Sequence, residues 1–142
     1  MLLELIIMDV LMSIKPQYVD KIISKEKTYE FRRSIFKKEV NNVIIYATAP
    51  EKKIVGSFEL EGIIKDTPSN LWENFSNKAG ITKKDFFDYF KGKDVGFALK
   101  IGKLNILDDF IDVDCLEDFK APQSFMYVVD KDEFFKNSLP TK

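Results

Sequence analysis

The stretch KEKTYEFRR, Lys25 to Arg33, sets four basic residues and two glutamates around a tyrosine and a phenylalanine. Lysine and arginine can hold a phosphate or a base carbonyl, arginine with a planar fork of N–H groups. A carboxylate between them can accept from an exocyclic amine or act as a general base. Read as a strand, residues 28 to 33 alternate. Thr28, Glu30 and Arg32 fall on one face, and Tyr29, Phe31 and Arg33 on the other. An acid and an arginine therefore share a face, with aromatics behind them. Two readings follow: the lining of a ligand cleft, or a Glu–Arg/Lys network that braces the strand.

The rest of the chain narrows the chemistry. There is no histidine among the 142 residues, which removes Ser-His-Asp and Cys-His nucleophile systems and the usual proton shuttle. Any catalysis must rest on Lys, Glu, Asp, Tyr or hydroxyl groups. The single cysteine, Cys115, allows no internal disulfide and points to a reducing, cytoplasmic setting. Asp108, Asp109, Asp112 and Asp114 lack the spacing and glycine of a calcium loop, so no metal and no cofactor is expected. Lys21 to Lys38 holds seven basic and two acidic residues, whereas Leu104 to Asp118 holds six acids and no base. A local basic patch on a chain of net charge −1 fits a confined anionic ligand better than long-range attraction to duplex DNA. A solvated charged face is the bland alternative.

These residues need elements to position them. Length and a 45% apolar fraction fit one domain over residues 1–142. The apolar start MLLELIIMDVLMSI carries Glu4 and Asp9 and no basic leader, so it reads as a buried strand behind a short leader, not a signal peptide. Met8 is a second candidate start. No segment reaches the roughly 18–20 apolar residues needed to span a bilayer, and no membrane partner is expected. Pro16 opens a short amphipathic helix, PQYVDKIISK. Val43–Ala49 and Lys53–Ile64 read as strands, with Gly56 and Gly62 at bulges or bends. NLWENFSNKAG and KKDFFDYFKG read as helices, the second capped by Thr82, with Trp72, Phe86, Phe87 and Phe90 as core. Asp94–Leu107 returns to strand, and DKDEFFKNSL closes with a helix that frays near Pro140. The order β-α-β-β-β-α-α-β-β-α is that of an α+β domain with a curved sheet.

Residues Ser13 to Arg33, SIKPQYVDKIISKEKTYEFRR, resemble the start of an ASCH domain of the PUA-like superfamily. That family's Gly-x-Lys-x-x-x-x-Arg signature, often with Glu before the Arg, falls on Lys25, Lys27, Glu30 and Arg32. VIIYATAP followed by KKIVGSFEL, and APQSFMYV near the end, are similar to a branch described as predicted transcriptional regulators. The resemblance spans about Val10 to Val128 and departs at Lys25, where the family has glycine. It implies a small curved β-barrel of five to six strands flanked by helices, with a cleft lined by the motif Lys, Glu and Arg. It also implies an RNA or nucleotide-like ligand.

On this resemblance the ligand-binding candidates are Lys27, Glu30, Arg32, Arg33, Lys15, Tyr46, Thr48 and Ser124, with Tyr127 a further secondary contact. The leading expectation is an RNA- or nucleotide-binding module acting in RNA metabolism or transcription regulation. Basic tracks interleaved with aromatics are how single-strand binders work. The alternative is a weak metal-independent ribonuclease, or a nucleoside amidohydrolase, using Lys27 and Glu30. The amidohydrolase branch of the family places a Thr nucleophile three residues after the motif lysine, where this chain has Glu30; Thr28 stands at the wrong spacing. A third reading, protein interaction in transcription, would use the acidic run Asp108–Asp118.

Overall fold

The fold is described by a computed structural model covering residues 7–138. Residues 1–6 of the apolar leader, and the fraying near Pro140, lie outside the described residues. The first strand, β1 (Met8–Ile14), carries an unbroken apolar run, Val10 to Met12, because it is buried on both faces there. Val10, Met12 and Ile14 point into one core, while Leu11 points into another beneath Phe119, Phe134 and Phe135. Helix α1 (Pro16–Ile23) follows at once, with Pro16 at its first position, and lays Val19 and Ile22 against the inner core.

Strands β2 (Tyr29–Arg32), β3 (Val40–Ala47) and β4 (Lys53–Asp66) come next, then helices α2 (Pro68–Phe75) and α3 (Lys83–Tyr89). Thr67 and Thr82 cap those helices, each side-chain oxygen accepting from a backbone N–H three residues on. Strands β5 (Gly96–Asp112) and β6 (Phe125–Val128) and helix α4 (Lys131–Ser138) complete the chain. The succession of elements is the one expected from the sequence. One strand runs on further: β5 continues through Asp112, because Ile111 and Asp112 pair with Ile54 and Lys53 of β4. Among the described residues no helix is long and apolar enough to cross a membrane.

The six strands form one mixed sheet in the order β2-β5-β4-β3-β1-β6, with β1 and β3 parallel. Register shifts at Ile54/Gly56, Phe58/Leu60 and Leu60/Gly62 bend β4 against β5, so both expected glycines sit at irregularities. Gly56 is required there: at φ +149°, a Cβ would lie 2.3 Å from the Asn105 carbonyl oxygen. The sheet curls until its two edges, β2 and β6, approach each other. Side chains bridge that gap. Arg32 of β2 reaches Ser13 of β1 and Ser124 beside β6, Phe36 meets the Phe125 ring edge-on at 4.7 Å, and the Tyr127 hydroxyl accepts from the Lys37 and Lys38 amides. The result is the expected α+β, PUA-like curved sheet flanked by helices.

Helices α2 and α3 cover one end of this sheet through an aromatic core. Phe86 and Leu71 are fully buried, with Phe31, Ala79, Phe90 and Ala98 around them and Trp72 and Phe87 packed at the edge. Phe31 meets Phe86 edge-on at 5.0 Å. Strand β2 is thereby held between this aromatic core and the space beneath α1, and the candidate site opens there.

Candidate functional site

Helix α1 stops at Ser24, and the chain turns into β2 through Lys25 at φ +67°. The position where the resembled family has glycine is left-handed here as well, and lysine occupies it with local strain of about 1–2 kcal/mol. Two residues later Lys27 turns inward and is 2% exposed. Its Nζ donates to the Ala79 carbonyl at 2.7 Å and stands 3.5 Å from Glu30 Oε1. The ammonium lies 5.0 Å from the Phe31 ring centre and 5.4 Å from that of Tyr18, a cation–π setting. Gly80, at φ +60°, makes room for the lysine stem, since a Cβ there would lie 2.5 Å from Lys27 Cβ.

Both oxygens of Glu30 are engaged. Oε1 accepts from the Phe31 amide at 3.2 Å, and Oε2 pairs with Arg32 at 3.1 Å. Arg32 also donates to the Ser13 carbonyl at 2.8 Å and to Ser124 Oγ at 3.4 Å. Three of its five N–H groups are thus used, and its buried Nε has no partner among the described residues. Lys27 likewise keeps one of three protons unused. Glu30 braces two cations, and the unused hydrogen-bonding capacity belongs to the cations. Burial pushes the Lys27 ammonium below its ordinary range, against the opposing pull of Glu30.

Lys27, Glu30 and Arg32 all line one cleft of about 630 Å³, within the usual size range of small-molecule sites. Of the other sequence candidates, Lys15 and Thr48 line it too. Ser124 touches Arg32 without lining the cleft, where its neighbour Gln123 does. Arg33 is exposed outside it; its amide donates to the Tyr89 hydroxyl at 3.3 Å. Tyr46 lies elsewhere: strand alternation sends it with Ile44 to the opposite face of the sheet, 5.3 Å from the Phe119 ring. Tyr127 bridges β6 to the segment after β2. Thr28 Oγ1 is buried without a partner among the described residues and is not part of the cleft wall.

Sequence reasoning missed the opposite wall. Tyr18 of α1 lines the cleft, as do Asp85, Asp88 and Tyr89 of α3. Burial, followed by the charges of Asp85 and Glu30, pushes the Tyr18 phenol upward, and burial does the same to Tyr89. The phenols therefore stay protonated and can donate. The one available signal was the i, i+3, i+4 spacing of Asp85, Asp88 and Tyr89, which puts all three on one stripe of the helix flanking that of Phe86 and Phe90.

Residues 7–131 match a family described as a domain of unknown function (DUF365). The ASCH domain-containing ribonuclease of Zymomonas mobilis is 31% identical over 127 residues, 84% of this chain and 84% of that protein. Large ribosomal subunit protein uL22 of Ureaplasma parvum is 32% identical over 103 residues, which are 72% of this chain but 33% of that protein. The chain thus spans about a third of the length of that relative. Among solved structures, the ASCH protein of Zymomonas mobilis superposes with a TM-score of 0.79 at 28% identity, covering 90% of this chain and 92% of that one. The N-terminal domain of Staphylothermus marinus McrB shares the fold alone, with a TM-score of 0.57 at 11% identity over 91% of each chain.

Proposed function

The chain belongs to the ASCH-domain proteins and to the family described as DUF365, and from that membership and the cleft we propose that it binds single-stranded RNA by seating one unpaired nucleotide over Lys27 and Arg32. The observation that carries this reading is the Lys27–Glu30–Arg32 chain, which lines the cleft and whose two cations retain unused donors. Such donors suit phosphate or carbonyl oxygens, and the Tyr18 and Tyr89 rings at the margin suit a stacked base. The transcription reading adds no residue to the cleft.

RNA cleavage is the second reading, and two observations favour it: the relative named as a ribonuclease, and the lowered proton affinity of Lys27 beside protonated phenols. In this scheme Lys27 first loses a proton to solvent and then takes the proton of a ribose 2′-hydroxyl, whose oxygen attacks the adjacent phosphorus. Arg32 balances the charge on the phosphorane. The 5′-oxygen leaves with the Tyr18 proton, giving a cyclic phosphate and a 5′-hydroxyl. The amidohydrolase reading gains no support, because Glu30 occupies the position that would need a hydroxyl nucleophile and both its oxygens are engaged.

The test is fluorescence anisotropy and gel analysis with a labelled single-stranded RNA in EDTA, for wild type and Lys27→Met, which keeps the apolar stem. Wild type is expected to bind, and Lys27→Met to bind at least tenfold more weakly. Equal binding by both proteins would remove the cleft from RNA recognition. Product ending in a cyclic phosphate, lost in Lys27→Met, supports the second reading.

A further inference from the structure

The cleft is divided by charge. On one side, Lys15 stands at the start of α1, exposed and without an ion-pair partner among the described residues. Lys15 offers no side-chain cap, and Pro16 has no N–H, so the Gln17 amide has no hydrogen-bond acceptor among the described residues, at the positive end of an eight-residue helix. Lys15 and Gln17 both line the cleft. The deeply buried Lys27, with a proton unused, and Arg32 line the same cavity. This side is built for an anion.

The other side repels one. Asp85 and Asp88 of α3 face the cleft with the Tyr89 ring beside them. Asp88 is held by Lys84 at 2.8 Å, whereas the Asp85 carboxylate accepts no hydrogen bond among the described residues; only its backbone amide is engaged, by Thr82. A phosphate cannot settle against that wall, but a base edge can. An ionised carboxylate is acceptor-only, with two oxygens side by side. Guanine offers two parallel donors, N1–H and the N2 amine. Cytosine and adenine set one amine beside an acceptor nitrogen, and uracil sets one N–H between two carbonyls. The Tyr18 ring lines the same cleft and supplies an apolar surface for the base.

We propose that the cleft takes a nucleotide in one direction, phosphate toward Lys15 at the start of α1 and base toward Asp85 on α3, and that Asp85 makes it prefer guanine. This rests on the nucleotide-binding reading above and adds to it a substrate class and a specificity-determining residue. Calorimetric titration of GMP, IMP, UMP and guanosine into wild type, Asp85→Ala and Lys15→Ala tests it. Asp85 is exposed, and its capping amide survives the substitution, so the variant keeps its fold; thermal unfolding checks this. For wild type, GMP is expected to bind about tenfold tighter than IMP, which lacks the N2 amine, and tighter still than UMP. Asp85→Ala should bring GMP and UMP within twofold of each other. Lys15→Ala should weaken GMP several-fold and leave guanosine unchanged. If Asp85→Ala instead tightens GMP, IMP and UMP equally, the carboxylate acts only by repulsion and the guanine preference is overturned, while nucleotide binding stands. If none of the nucleotides binds wild type, both readings fall.

Discussion

Two segments concentrate charge in this chain, and the structure treats them in opposite ways. Lys25–Arg33 folds its charges inward: Lys27 and Glu30 are buried, Arg32 is nearly so, and they join into one chain of contacts. Asp108–Asp118 leaves its acids in water. Asp108 and Asp109 are exposed on the distal part of β5, and the Asp112 carboxylate accepts from the Asp114 amide at the following turn. Charge density is alike in the two; the surroundings are not. Lys27 leaves the helix through a left-handed turn that aims it at a helix-capped hollow, whereas the acids sit on an irregular stretch of β5 between Ile106 and Ile111 and on the turn that follows the strand. Buried charges must be paired, because removing a partner leaves an ion without solvent. Exposed acids carry no such obligation. The comparison predicts where substitution hurts.

The largest effect belongs to Glu30. Glu30→Gln leaves two buried cations without their shared counter-charge and is expected to cost about 3–5 kcal/mol in urea unfolding. A cost under 1 kcal/mol would mean that water reaches the chain and that the two segments are not so different. The same chain has a pH signature. Burial holds folded Lys27 below 10.5, the ordinary value. Between the lowered value and 10.5 the unfolded chain binds more protons, so this contribution makes stability rise with pH there, is complete above 10.5, and is lost as pH falls through the folded value. Tyr18 and Tyr89, raised above 10.0, act oppositely beyond that pH, so the signal is the difference between wild type and Lys27→Met. A flat difference across the alkaline range would place Lys27 in solvent.

Next in size is Gly80→Ala. The new Cβ would sit 2.5 Å from Lys27 Cβ on a backbone at φ +60°, and about 2 kcal/mol or more should be lost through strain and overpacking. RNA affinity should fall with it, because Lys27 must move. Unchanged affinity in a destabilised protein would separate the position of Lys27 from binding. Smaller again is Lys25→Gly, which relieves the left-handed turn and should raise stability by about 1 kcal/mol, read as a higher urea midpoint at unchanged slope.

The fold was legible because its signals are local. Pro16 and the Thr67 and Thr82 caps mark helix starts, β-branched runs mark β3 and β4, and Gly56 marks the bend. The cationic wall was legible for the same reason: Lys27, Glu30 and Arg32 sit within six residues. The acidic wall was not, because Asp85 comes to line the same cleft as Lys27 only through the docking of α3 on the sheet, 58 positions away in the chain. Tyr46 misled because its neighbour Thr48 does reach the cleft. Thr48 lies just beyond the end of β3, where alternation no longer governs, whereas Tyr46 lies within it and obeys the pleat. The extension of β5 through the acids was hidden because Asp disfavours strands, and pairing with Lys53 and Ile54 overrides that preference.

The smallest expected effect completes the contrast. Asp108 and Asp109 lie at least eight residues along β5 from Lys100, the partner of Tyr29, which is about 25 Å of strand. Screening at physiological salt acts over about 8 Å, so these charges should be invisible to a nucleotide in the cleft. The double variant Asp108→Asn/Asp109→Asn should change stability by no more than about 0.5 kcal/mol and RNA affinity by less than about twofold. A longer RNA sharpens the test. If the double variant binds a long strand tenfold tighter than wild type does but a trinucleotide equally, the strand leaves the cleft along β5, and the acids limit its path. In that case Asp108–Asp118 would be a boundary that keeps RNA short, and the two charged segments would act on one ligand from opposite ends.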